Sequence, residues 1–245
     1  MLKVVALHGF TGSHQDFEPL KSMVNDDLIE FVTPDWPGHG KLKQETDVPK
    51  YSLEAHMEII SEAVGSSKRV ILLGYSMGGR LALNWALNHP DRIQKLILIG
   101  ASPGIADETQ LAERLKGDQA LAHFIRIHGV KPFIKYWNGK TFFRPLMALP
   151  PDRLDSILER RLKNTPEGLA LSLENVGTAS LPSLWPRLKE LRCPVDIVVG
   201  EKDPKFIEIG YRMGECIPKA RISIIESAGH ALHLERPEDI ATLIG

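Results

Sequence analysis

The chain has 245 residues, 43% of them hydrophobic and 25% charged, so it can bury a sizeable core and does not have the composition of a disordered segment. Its 30 Lys and Arg balance 31 Asp and Glu to a formal net charge of -1, which excludes a global field that would draw the chain onto nucleic acid or an anionic membrane. Cys193 and Cys216 show no CxxC or Cys/His spacing, arguing against a disulfide framework and a zinc site, and no apolar run approaches the roughly 18 residues of a membrane span.

In chain order, short apolar runs bounded by turn residues recur at Val4–Leu7, Glu30–Thr33, Val70–Leu73, Leu96–Ile99, Val195–Val199 and Ile222–Ile225. Runs of this length with little polar alternation predict strands buried on both faces. The first begins almost at Met1, with no basic region, long apolar stretch and cleavage site before it, so a signal peptide is not expected and a cytoplasmic location is. Helical segments are predicted over Ser52–Val64 and Gly78–Asn88, the second closed by His89-Pro90. Strand, helix and strand in succession imply a mostly parallel sheet flanked by helices.

Residues 105–179 break this rhythm. Apolar side chains there recur at helical spacing (Leu111 and Leu115; Leu121, Phe124 and Ile125; Leu154, Ile157 and Leu158), and no strand-like run occurs. The stretch reads as a helical lid inserted between a first core part, 1–104, and a second, 180–245. Its 11 Lys and Arg against 9 Asp and Glu are too small an excess to argue from. Leu149-Pro150-Pro151-Asp152 reads as a turn and helix start rather than a linker.

The reactive side chains follow the strand runs, where open parallel sheets bind their ligands. The tails are His8-Gly9-Phe10, Asp35-Trp36-Pro37-Gly38-His39-Gly40, Gly74-Tyr75-Ser76-Met77-Gly78, Gly100-Ala101-Ser102-Pro103-Gly104, Gly200-Glu201-Lys202-Asp203 and Ala228-Gly229-His230. Gly74-Tyr75-Ser76-Met77-Gly78 matches GxSxG, the strand-to-helix turn that presents a nucleophilic serine. The pattern alone is weak; a preceding strand and a following helix give it weight.

A serine hydroxyl needs a histidine to take its proton and a carboxylate to orient that histidine. Asp203 and His230 follow Ser76 in the chain order Ser, acid, His. Glu201 competes for the acid, and His233 and His8 for the base; Asp203 and His230 are preferred for their places in the strand-end loops. An oxyanion hole would draw on the backbone N–H of Met77, next to the serine, and of Phe10, in the glycine-bounded first loop.

So assembled, the chain resembles the α/β-hydrolase fold over nearly its whole length. A narrower set resembles the 2-succinyl-6-hydroxy-2,4-cyclohexadiene-1-carboxylate synthases of menaquinone and phylloquinone biosynthesis. These residues are Gly74–Leu83, Ser102-Pro103-Gly104, Ala112-Glu113-Arg114, Tyr136-Trp137, Arg161 with Asn164–Leu169, Pro182-Ser183-Leu184-Trp185 and Gly200–Phe206. The resemblance implies a carbon-oxygen lyase that eliminates pyruvate without metal or organic cofactor. It carries anion binding to Arg80, Arg114 and Arg161, and cavity walls to Trp137 and Tyr75. Arg80 has support of its own: four residues past Ser76, it puts a cation one turn into the nucleophile helix, where a polycarboxylate would profit and a neutral ester would not.

Two departures stand out. The lid run is Trp137-Asn138-Gly139-Lys140 where relatives often have a Trp-Tyr-Gln-Gln-like run, and Leu181 replaces the usual Gln before Pro182. The expected partner is a small polycarboxylate, with no nucleic acid or membrane insertion, and the expected state is a monomer. The alternative reading is a carboxylesterase or C–C bond hydrolase using the same triad; a non-catalytic ligand receptor is the rival from another class.

Overall fold

In the computed structural model, which describes residues 1–25 and 27–244, six strands form one sheet: β1 (Leu2–Leu7), β2 (Ile29–Val32), β3 (Val70–Tyr75), β4 (Ile93–Ile99), β5 (Val195–Gly200) and β6 (Ala220–Ile225). Their order in space is β2-β1-β3-β4-β5-β6, and each neighbouring pair is parallel. Each predicted run lies on one of these strands, with Thr33 falling just past the end of β2.

The absence of polar alternation has a direct cause. Val4, Ala6, Ile71 and Leu73 pack into one core cluster, while the alternating residues Val5, Leu7, Val70 and Leu72 pack into another. Successive side chains on a strand point to opposite faces, so the two clusters cover the two sides of the sheet.

Helices fill the crossovers. α1 (Glu18–Lys21) follows β1, and α2 (Leu53–Val64) leads into β3. The Ser52 side chain caps α2 by accepting the Ala55 N–H at 3.2 Å. α3 (Met77–Asn88) leaves β3 directly after Ser76. Between β4 and β5 the described residues form no strand but five α-helices: α4 (Glu108–His128), α5 (Val130–Asn138), α6 (Arg144–Met147), α7 (Pro151–Leu162) and α8 (Pro166–Val176). Prolines occupy the first helical position of α7 and α8, where the missing N–H costs nothing. α9 (Pro204–Cys216) joins β5 to β6, and α10 (Leu232–Glu235) and α11 (Pro237–Ala241) follow β6.

The inserted helices have their own apolar cluster, with Ala122 and Ile125 of α4, Phe133 and Ile134 of α5, and Leu169 and Leu173 of α8; Phe10 and Trp137 pack against it. This seats the insertion on the loop after β1. From β1 the chain moves to β2 on one side, while β3 lies on the other. The crevice where strand order reverses is thus at the carboxyl ends of β1 and β3, where such sheets bind ligands.

Candidate active site

Ser76 sits on the turn from β3 into α3 with φ of 51° and ψ of -110°, a positive φ that few L-residues adopt. Its N–H donates to the Ile99 carbonyl of β4 at 2.9 Å, pinning the turn to the sheet. Glycine is obligatory beside it. A Cβ on Gly78 would run into the carbonyl oxygens of Leu7 and His8, so this position lets α3 lie against the end of β1.

His230 reaches the serine from the loop after β6, with its Nε2 3.1 Å from Ser76 Oγ. Its Nδ1 lies 2.6 Å from Asp203 Oδ2, at the start of α9. Both His230 and Asp203 are buried. Rings of Tyr75, Phe142, Phe143 and Phe206 surround the imidazole at centroid distances of 4.5 to 5.8 Å. The hydroxyl, imidazole and carboxylate therefore form one relay, with a carboxylate placed to hold the proton on Nδ1 and leave Nε2 to the serine.

The rival residues have other work. Glu201 is exposed and accepts the Ser227 N–H at 2.9 Å, bracing the loop that leads to His230. His233 is fully buried, its ring 4.1 Å from that of Tyr75, and neither of its ring nitrogens has a hydrogen-bond partner. Burial drives its pKa well below the usual value, with Arg161 adding to the effect, so it stays neutral. His8 is buried under the first loop, where its Nε2 accepts the Trp36 N–H at 3.3 Å and its carbonyl accepts the Trp36 indole N–H at 2.9 Å.

Met77 is the first residue of α3, where backbone N–H groups have no partner within the helix. Phe10 lies in the loop across from it, and both residues line a recess of about 70 Å³ that also takes in Ser76 and Arg80. An outer chamber of about 360 Å³ shares Phe10, Ser76, Arg114 and Trp137 with the recess and extends past Tyr75 and His230.

Arg80 is 5% exposed; its Nη1 donates to Thr178 Oγ1 at 2.9 Å and its Nη2 to the Val176 carbonyl at 3.0 Å. Among the described residues no carboxylate lies within ion-pairing distance of it, and its Nε has no acceptor. Burial, assisted by Arg114, lowers its pKa to about 10, which leaves it cationic at neutral pH. Arg114 lines both cavities, and its Nε is 2.8 Å from Asp118 Oδ1.

Arg161 is placed differently from the other two arginines. It is buried, donates from Nη1 to Asn138 Oδ1 at 2.6 Å, and sits 5.6 Å from the centre of the Phe143 ring, but it lines neither the recess nor the chamber. Tyr75, read from the sequence as a cavity wall, lines the outer chamber and is 4% exposed, and burial raises its pKa, keeping the phenol protonated. Trp137 lines the chamber edge-on to Phe10, 5.5 Å between ring centres.

Several supporting residues had no sequence signal. Glu235 is buried and accepts the N–H groups of Gly229 and Ala231, on either side of His230. Thr178 and Asn138 orient the two buried arginines. Among the described residues no group of three or more His, Cys, Asp or Glu side chains is arranged to hold a metal ion, and no helix is long and apolar enough to cross a membrane.

A strained serine elbow, a His–Asp relay from later strands and a helical insertion over the sheet define a class, and the alpha/beta hydrolase fold family matches residues 4–237. The chain is 39% identical over 240 residues to the Bacillus subtilis protein named "Putative 2-succinyl-6-hydroxy-2,4-cyclohexadiene-1-carboxylate synthase", covering 96% of this chain and 85% of the relative. The 2-succinyl-6-hydroxy-2,4-cyclohexadiene-1-carboxylate synthase of Serratia proteamaculans is 28% identical over 239 residues, 97% of this chain and 89% of its own. The structure of MenH from S. aureus superposes with a TM-score of 0.89 at 34% identity, over 99% of this chain and 91% of that one. Within the alpha/beta hydrolases, the chain belongs to the 2-succinyl-6-hydroxy-2,4-cyclohexadiene-1-carboxylate synthase family.

Proposed function

We propose that the protein is a carbon–oxygen lyase of menaquinone or phylloquinone biosynthesis. It eliminates pyruvate from 2-succinyl-5-enolpyruvyl-6-hydroxy-3-cyclohexene-1-carboxylate to give 2-succinyl-6-hydroxy-2,4-cyclohexadiene-1-carboxylate. The observation that carries this reading is Arg80, a buried guanidinium without a carboxylate partner among the described residues, in the same recess as Ser76. An uncompensated buried cation is costly, and an anionic ligand offsets that cost. A neutral ester offers no such compensation.

In the proposed reaction Ser76 Oγ gives its proton to His230 Nε2, the resulting imidazolium is steadied by Asp203, and the serine oxygen removes a ring proton. Charge that develops on the conjugated succinyl carbonyl is met by the N–H groups of Phe10 and Met77. The electron pair of the broken C2–H bond forms the C2–C3 double bond, the existing C3–C4 double bond shifts to C4–C5, and the C5–O bond to the enolpyruvyl group breaks. The departing enolate takes a proton and becomes pyruvate. Arg80 and Arg114 grip carboxylates, Trp137 and Tyr75 line the ring, and Arg161, against the Phe143 ring, acts through its field rather than by contact. No metal or organic cofactor enters this scheme.

The reading carries with it a cytoplasmic monomer acting on a small polycarboxylate and binding no nucleic acid; gel filtration at micromolar concentration tests the monomer. The decisive experiment compares pyruvate release from the elimination substrate with cleavage of aryl esters. Pyruvate release that is lost in Ser76→Ala supports the lyase. Rapid ester turnover without pyruvate would establish the hydrolase alternative instead.

A further inference from the structure

The substrate of the proposed reaction carries three carboxylates: two remain on the product and one leaves in pyruvate. The arginines on the cavity wall supply two positive charges, Arg80 and Arg114, and one of these already faces Asp118, which lines the outer chamber too. Arg161 contributes no atom to the wall. Three anionic groups thus meet a wall whose arginines leave one unopposed cation.

Lys140 and Lys205 line the same outer chamber as Ser76 and His230. Among the described residues neither ammonium has a carboxylate within 4.0 Å. Lys140 is half-buried and held in place by aromatic faces: its Nζ is 4.7 Å from the Tyr136 ring centre and 5.4 Å from that of Trp137, with the Tyr136 hydroxyl 3.4 Å away. Lys205 is exposed and stands at the first turn of α9, two residues after Asp203. Arg80 lines the recess but not the chamber, and the two lysines line the chamber but not the recess, while Ser76 and Arg114 line both.

We propose that Lys140 and Lys205 form a second anion-binding pole of the cavity, which takes one substrate carboxylate in the outer chamber, whose lining does not include Arg80. With both lysines counted, unopposed positive charge on the wall matches the three carboxylates. Carboxylates held separately in the recess and in the chamber also set the ring's orientation, which a single contact does not. The proposal rests on the function proposed above, and it accounts for the lysine that this chain carries at position 140 of its lid.

Two measurements test it, one of which does not need turnover. In a Ser76→Ala background, a tricarboxylate such as citrate is titrated against intrinsic fluorescence, with and without Lys140→Gln and Lys205→Gln. The double substitution is expected to weaken tricarboxylate binding by about tenfold or more and to flatten its dependence on salt. With active enzyme and the elimination substrate, each single substitution is expected to raise KM several-fold with kcat within about twofold, and Lys140→Arg to restore it. Thermal melts establish that the variants are folded. Unchanged tricarboxylate affinity and salt dependence in the folded double variant overturn the second pole. Absence of pyruvate release by the unsubstituted protein overturns the proposed reaction, and the titration still reads the pole independently.

Discussion

At Arg80 the chain sets a permanent cation in a wall from which water is nearly excluded, and its hydrogen-bond partners are neutral: a threonine hydroxyl and a backbone carbonyl. Those partners fix direction without cancelling charge. Arg80→Ala is therefore expected to lower kcat/KM for the elimination substrate by about 2 to 4 kcal/mol, as when one partner of a buried ion pair is lost. Arg80→Lys should recover only part of this, because an ammonium lacks the two-pronged geometry. Steady-state kinetics on the three proteins decides it, and an unchanged Arg80→Ala would refute the clamp. Arg80 was legible in the sequence because its position depends only on helical spacing from the serine. The place of Arg161 was not, since whether a lid helix turns a given side chain into the cavity lining or against the Phe143 ring is settled by packing between helices distant in sequence. Glu235 was silent for another reason: it acts by accepting two backbone N–H groups, and such a role leaves no motif.

The strands and the turns that follow them were the most readable elements. Two-sided burial removes polar alternation from a strand, and each break in the apolar run marked a strand end and hence a loop at the site. Boundaries were less legible: β3 runs on through Tyr75 and α3 starts at Met77, directly after the serine. That abrupt junction depends on close approach between α3 and the carbonyl groups ending β1. Gly78→Ala places a methyl group against the Leu7 and His8 carbonyl oxygens. It is expected to cost about 1 to 3 kcal/mol and lower the melting temperature by several degrees. Because the displaced helix carries Met77, kcat for pyruvate release should fall as well. A variant with wild-type melting temperature and kcat would refute the close contact. The insertion was recognisable only as helical; its division into five helices and the bracing of α4 against α8 by Arg126, Glu167 and Glu174 required the coordinates.

Over the whole molecule, four histidines, His8, His39, His56 and His233, are fully buried. Burial lowers the pKa of His39 to about 3 and of His56 to about 4, and lowers those of His8 and His233 as well. The unfolded chain takes up these protons near pH 6.5, whereas the folded one takes them up only at lower pH. Stability is thus present above about pH 6.5 and is lost as the pH falls toward 4, by up to about 1.4 kcal/mol per pH unit for each of His39 and His56. Glu235, whose pKa burial raises, pulls the other way as a single group. Melting curves at pH 7.5 and 5.0 should show a marked loss at the lower value; an equal or higher melting temperature at pH 5.0 would refute the account. The hydrogen bond from Ser76 to His230 spans 154 positions of the chain, and the imidazole stands on the loop after β6. During synthesis, the hydroxyl therefore has no base beside it until nearly all the polypeptide has emerged and docked. Recovery of turnover after dilution from denaturant should accordingly lag behind recovery of helix, making chemistry itself a reporter of the final docking event.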